Sequence, residues 1–164
     1  MSTLADLILP QHVAWLETRS KSEALSQLLQ RLSQSRAVKD EAALRNAVLA
    51  REVLMSTGIG YGVAVPHAKI PTVESFVVAI GISPDGIDYT SAIDDAPVRL
   101  VVMIAGPDRA QEGYLTLLST LMRFIKSEKG KILSSTTPED VARLGRRYPV
   151  DLPPGALPAQ PRSA

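Results

Sequence analysis

The chain contains no cysteine. Disulfide frameworks and thiolate chemistry are therefore excluded. Histidine is also scarce, at two residues, so a metal site would have to draw most of its ligands from carboxylates. No metal and no cofactor are expected. Aromatic residues make up only 4% of the chain, which leaves an aliphatic core of Leu, Val, Ile and Ala. No apolar run approaches the roughly 20 residues that span a bilayer. The opening MSTLADLILPQ lacks the basic region and long apolar core of a secretory leader, and the expected location is the cytoplasm. Nor is there an excess of one charge: 18 basic and 17 acidic residues leave +1, which makes no general case for nucleic acid or an anionic membrane as partner.

What is present suits one compact domain. The chain has 164 residues, 45% of them hydrophobic, enough for a sizeable core. Leu25, Leu28, Leu29 and Leu32 recur at i, i+3, i+4, i+7 and predict a helix over 21–35 with Ser20 or Ser22 as its cap. Asp40 can cap a second helix that carries Leu44, Ala47 and Val48 and runs to about Glu52. FVVAIGIS (76–83) and VRLVVMIAG (98–106) read as buried strands, because neither alternates in the manner of a half-exposed one. A short strand is expected near Val13–Leu16, and SPDG after the first long strand reads as a turn. YLTLLSTLMRFI (114–125) predicts a helix, and Pro138 opens a last short one with Gly145 as its stop. Trp15 is expected in the core. Five of the twelve prolines fall from Pro149 onward, which predicts a domain over 1–147 and a disordered tail over 148–164. The element order indicates an α/β or α+β single domain with helices covering a central sheet.

The candidate chemistry lies in STGIGYGVAVPHAKI (56–70). Gly58, Gly60 and Gly62 form G-x-G-x-G, which lacks the spacing and the preceding strand of a dinucleotide fingerprint, and no G-K-[ST] follows. There is no G-x-S-x-G elbow for a serine hydrolase. Asp94 and Asp95 are adjacent and point apart, and read as a solvated turn. A histidine, by contrast, offers a nitrogen lone pair near neutral pH while its other ring nitrogen is held by an acceptor. Phosphoryl transfer to such a ring needs positioning above all, with donors aimed at the phosphoryl oxygens. Glycines let backbone N–H groups approach an anion, Ser56 and Thr57 can add hydroxyl donors, and Arg51 can add a planar charged fork. From these residues alone, a phosphoryl-carrying His67 and a histidine placed in a turn for packing both remain open.

The stretch REVLMSTGIGYGVAVPHAK, from Arg51 to Lys69, resembles the signature of the fructose/mannitol-type IIA components of the bacterial phosphotransferase system, a group that includes the nitrogen-regulatory IIA proteins. The resemblance extends through AIDDAPVRLVVMIAGP and the helix after it, over roughly residues 5–145. It implies a mixed sheet sandwiched by helices on both faces. It also implies that His67 accepts a phosphoryl group from HPr or its nitrogen-branch paralogue and passes it to a IIB domain or a regulatory target. Arg51 and Ser56, Thr57, Gly58, Gly60 and Gly62 would form the supporting shell. The family commonly carries a second active-site histidine at the start of the long helix, where this chain has Tyr114 in EGYLTLLSTL. A tyrosine can donate one hydrogen bond to a phosphoryl oxygen but cannot become cationic. The alternative is an amphipathic packing residue at a helix start. His12 does not align with that position. The implied alternatives to sugar transport are a regulatory IIA acting through its phosphorylation state and a binding module that has lost transfer. A late basic cluster, including Lys126, Lys129, Lys131, Arg143, Arg146 and Arg147, reads as a solvated face or a site for an acidic partner.

Overall fold

The computed structural model describes residues 2–89, 94–153 and 155–157. Strands β1 (Val13–Trp15), β2 (Gly58–Gly60), β3 (Val63–Ala64), β4 (His67–Lys69), β5 (Val77–Ile87) and β6 (Val98–Gly106) form one mixed sheet. Its order is β1-β5-β6-β3-β2, with β4 also paired to β6. Helices α1 (Lys21–Ser33), α2 (Glu41–Leu54), α3 (Gln111–Ser134) and α4 (Pro138–Leu144) cover both faces. One core joins α3, α4 and the N-terminal turns to Val78, Ile80, Ile82, Leu100, Val102 and Ile104. The other joins α1 and α2 to Val77, Ala79, Val101, Met103 and Ala105. The period of two along β5 and β6 thus feeds two apolar faces, which is why these runs carry no polar alternation. No helix among the described residues is long and apolar enough to cross a membrane.

Local signals account for the starts of α1, α2 and α4, whereas α3 begins without a side-chain cap. The Ser20 hydroxyl accepts from the Glu23 N–H, the Asp40 carboxylate from the Ala43 N–H and the Thr137 hydroxyl from the Asp140 N–H. The third helix is longer than its first apolar run indicates. Beyond Ile125 its buried stripe continues through Glu128 and Ile132, a polar residue and one widely spaced apolar residue that hide the helical period. Trp15 is half-buried at the edge of the first core.

Two expectations meet a different structure. SPDG does not end its strand: β5 continues to Ile87, with Ile82 opposite Leu100 and Ile87 opposite Val98. The surplus residues bulge outward, and Gly86 at φ +88° takes the left-handed conformation that an L side chain resists. The same turn-forming residues serve a bulge because β6 is there to resume pairing. The Pro-rich segment after residue 147, expected to be disordered, is packed where it is described. Tyr148 O accepts from Leu4 N at 3.0 Å, Val150 N donates to Ser2 O at 2.9 Å, and Phe76 N donates to Ala156 O at 2.8 Å. Val150 and Ala156 are buried in the first core. Residues 158–164 lie outside the described residues.

Ending the chain at Arg147 removes these bonds and the buried Val150 side chain, a loss of about 2 kcal/mol from burial alone. The melting temperature is expected to fall by roughly 4–8 °C, at 2–4 °C per kcal/mol for a chain of this size. Thermal melts of the full and shortened chains check it; coincident melts would mean that the segment contributes nothing.

Candidate active site

β3 and β4 lie on the same side of β6 and run parallel to it, Val63 and Ala64 opposite Leu100 and Val101, then His67 opposite Ile104. Between them the chain makes its break at Val65-Pro66. Pro66 has no N–H to give, and its carbonyl accepts from Ile104 N at 3.0 Å. The break brings the His67 ring beneath the Val65 carbonyl, with Nδ1 2.9 Å from that oxygen. A carbonyl only accepts, so Nδ1 carries the proton and the lone pair resides on Nε2. The ring is half-buried in a cleft of about 480 Å3.

The cleft wall is formed by Arg51, Met55, Ser56, Thr57, Gly58, Ile59, Val65, Tyr114, Leu118 and Met122. Arg51, in the last turn of α2, donates from Nη1 to the Met55 carbonyl at 2.8 Å, which holds the guanidinium at the mouth. The Ser56 hydroxyl accepts from Gly58 N at 3.1 Å, so its own proton is left for another acceptor. Tyr114, buried near the start of α3, places its ring centroid 5.9 Å from that of His67. Burial raises the Tyr114 pKa and the nearby Arg51 charge partly offsets this, so the phenol stays a donor at neutral pH. Lys69 projects from β4 on the same side as His67 and stacks over Tyr114 with Nζ 4.3 Å from the ring centre, while donating to Gln111 Oε1 at 2.5 Å.

Not every glycine and hydroxyl of the expected shell faces the imidazole. Gly60 and Gly62, at φ +85° and +75°, flank Tyr61 at φ +58° and turn the β2–β3 hairpin; neither lines the cleft. The Gly62 carbonyl accepts from Arg99 N and Leu100 N, tying the turn to β6. These glycines supply a backbone conformation. Thr57 lines the cleft, but its hydroxyl donates to the buried carboxylate of Glu52. The same carboxylate receives the Tyr89 hydroxyl, the Thr57 N–H at 3.4 Å and the Lys21 ammonium at 2.9 Å. Desolvation alone would raise the Glu52 pKa, but the bonds from Thr57, Tyr89 and Lys21 outweigh it and hold the carboxyl below its ordinary value. Burial and the Glu52 charge push Tyr89 up. Glu52, Tyr89, Lys21 and Lys69 were not picked out as site residues from the sequence. Lys69 was detectable through the strand period of two; the Glu52 knot joins α1, α2, the loop and the end of β5, and no local signal predicts it. His12 is buried beside β1 and does not line the cleft.

A nitrogen nucleophile thus faces a cleft with a guanidinium, a serine proton and a phenol at its wall. Such an arrangement suits a small oxyanion that bonds to Nε2. The fold and site define a class: a single α/β domain in which one histidine presents Nε2 to a cleft lined by a guanidinium, a serine hydroxyl and a phenol. Residues 7–144 match the family model for the phosphoenolpyruvate-dependent sugar phosphotransferase system, EIIA 2, and the chain belongs to that family. It is 37% identical over 114 residues to the fructose-specific EIIABC component of Bacillus subtilis, a match that covers 70% of this chain and 18% of that much longer protein. It is 31% identical to the nitrogen regulatory protein of Bradyrhizobium diazoefficiens, covering 76% of this chain and 81% of that one. The crystal structure of nitrogen regulatory protein IIA-Ntr from Neisseria meningitidis superposes with a TM-score of 0.77 at 26% identity, over 86% of this chain and 97% of that one.

Glu52 is ionised in the fold with a depressed pKa, so its contribution is present above its ordinary pKa of 4.5 and is lost as pH falls through the lower folded value. Glu52→Gln is expected to cost about 2 kcal/mol at pH 7, the cost of leaving buried hydrogen-bond partners unmatched. The gap to the unchanged protein should narrow steadily below pH 4.5. Denaturant titrations from pH 7 to pH 3 measure it, and a gap independent of pH would refute the ionised knot.

Proposed function

We propose that the chain is a phosphocarrier that holds a phosphoryl group on Nε2 of His67. The observation that carries this reading is the bond from His67 Nδ1–H to the Val65 carbonyl, which leaves Nε2 as the nucleophile at the cleft. The Nε2 lone pair attacks phosphorus of a phosphohistidine donor in line, the new N–P bond forms, and the donor's N–P bond breaks with its electron pair returning to the donor ring. The proton stays on Nδ1, hydrogen-bonded to the Val65 carbonyl, and that bond stabilises the positive charge that the acceptor ring gains. Arg51, Ser56 and Tyr114 donate to the phosphoryl oxygens; Thr57, Gly60 and Gly62 shape the loop that presents them. In the second half-reaction the roles reverse and the group leaves for an acceptor. An HPr-type protein is the donor. A IIB domain is the acceptor, in keeping with the EIIABC architecture of the Bacillus subtilis relative. The likeness to nitrogen regulatory proteins supports a second use of the same chemistry, in which the phosphorylated and free forms differ in their grip on a target protein.

Incubation with enzyme I, HPr and phosphoenolpyruvate is expected to add one phosphoryl group that is labile in acid and stable in base. His67→Ala should carry none. Label retained in that variant, or found on Ser56, would refute the assignment.

Tyr114→Phe deletes one donor to a charged acceptor, worth about 1.5–3 kcal/mol. Phosphoryl uptake should slow about ten- to hundred-fold, at 1.4 kcal/mol per decade, with the melting temperature little changed. Quench-flow rates measured beside thermal melts check both. An unchanged rate would reduce Tyr114 to a packing residue.

A further inference from the structure

The strand that carries His67 also carries a cation that the transfer step does not use. Ala68 is buried in the core under α1 and α2, so His67 and Lys69 both project from β4 to the other face. Two residues of strand set their Cα atoms about 6.6 Å apart, a spacing that the flexible four-carbon stem of lysine covers. The Lys69 ammonium stands over the Tyr114 ring, 4.3 Å from its centre, and donates to Gln111 Oε1 at 2.5 Å. The same ring lies 5.9 Å from the imidazole, centre to centre. Lys69 and His67 thus share Tyr114 as a neighbour.

The charge around the cleft is out of balance. A phosphoryl group carries roughly −1.5 to −2 near neutral pH. Ser56 and Tyr114 offer it neutral donors, and Arg51 is the only lysine or arginine among the described residues that line the cleft. No Asp or Glu lines it. Glu52, next to Arg51, is taken by Lys21 at 2.9 Å. Among the described residues neither Arg51 nor Lys69 belongs to an ion pair. Gln111 gives the Lys69 ammonium a neutral acceptor, whereas an ionised oxygen makes a bond about twice as strong. Gln111 is the first residue of α3, and the helix begins at Ala110 with no side-chain cap, so release of the ammonium breaks no cap. A half-buried lysine with an uncompensated charge and a replaceable partner therefore stands beside the reacting nitrogen.

We infer that Lys69 is a further catalytic residue, whose ammonium exchanges Gln111 Oε1 for an oxygen of the phosphoryl group on Nε2. The ammonium keeps its three protons, and only a hydrogen bond changes hands. The inference rests on the phosphocarrier reading and adds a second cation to it. Arg51 and Lys69 then hold the group from two sides, and Lys69 supplies the charge that the neutral Tyr114 hydroxyl lacks.

Phosphoramidate, a small donor with no protein surface, tests this role in the full chain without any docking partner. Nε2 of His67 forms the new bond to phosphorus, and the P–N bond of the reagent breaks with ammonia leaving. Lys69→Met should slow labelling of His67 about tenfold or more, and Lys69→Arg should recover it to within about threefold. Lys131→Met removes one positive charge about 26 Å along α3 from Tyr114 and should leave the rate within about twofold. The loss caused by Lys69→Met should persist in a Tyr114→Phe background, because a lysine that merely placed the phenol would have no further effect once the hydroxyl is gone. In the unchanged protein, labelling should move the Gln111 side-chain amide signals to where they stand in unlabelled Lys69→Met. With label on His67, three results overturn the inference and leave the carrier reading standing. They are a rate indifferent to Lys69→Met, a loss that vanishes in the Tyr114→Phe background, and Gln111 signals that stay still. An unchanged protein that takes no label on His67 overturns both.

Discussion

The break between β3 and β4 at Val65-Pro66 is the constraint on which the site depends. Both short strands use the same side of β6, so the chain between them must leave the ladder and rejoin it within two residues. A proline suits the interruption because it gives up a donor that the ladder cannot use there. The detour brings the Val65 carbonyl to Nδ1 of His67, and that contact decides the tautomer and therefore which nitrogen keeps its lone pair. β6 is the reference for all of this. It is buried on both faces and flanked on one side by β5, so the histidine sits on one of the least deformable parts of the molecule.

Around that fixed ring the mobile long side chains are restrained from behind. Glu52 follows Arg51 in α2 and points inward, where it draws Lys21 from α1, Thr57 from the loop and Tyr89 from the end of β5 to one carboxylate. A buried carboxylate with this many donors is costly to disturb, and through its helix and loop it sets the distance between the Arg51 turn and the Ser56–Gly58 lip. On the opposite wall Lys69 and Gln111 hold the Tyr114 ring against the imidazole. The donors at the cleft are thereby placed before any ligand arrives, which suits a reaction in which positioning supplies most of the catalysis.

The two faces of the sheet divide the labour. The face under α1 and α2 is a closed aliphatic core. The face under α3 is closed at its far end by α4 and by the segment through Val150 and Ala156, but beside β2 and β3 the helix stands off the hairpin and leaves a second cleft, of about 560 Å3, open. The hairpin tip itself runs through three residues of left-handed conformation, Gly60, Tyr61 and Gly62, and only the middle one carries a side chain. That side chain is directed into solvent at the edge of the second cleft, so the glycines serve the site indirectly by setting where Ile59, shared by both clefts, stands.

The sequence by itself determined whatever has a local cause. Capping side chains three residues ahead of their N–H partners marked the starts of α1 and α2, β-branched runs without alternation marked the doubly buried strands, and a scarce histidine behind a proline marked the ring that faces the cleft. Arg51 was legible because its spacing from the glycines is part of a recognisable stretch. Tertiary structure decided the rest. Thr57 has the hydroxyl of a ligand donor, yet it turns to Glu52 because Lys21 and Tyr89, distant in the chain, make that carboxylate a strong acceptor in a buried place. Gly60 and Gly62 have the freedom that an anion cradle needs, and spend it on φ. SPDG has the composition of a turn and becomes a bulge because β6 offers pairing beyond it. The Pro-rich C-terminal segment has the composition of a tail, and its described part is held because Val150 and Ala156 find apolar seats that residues near the start of the chain and beside β5 complete. Residue type states what a side chain can do; which atom it does it to depends on partners brought together only when the sheet and helices close.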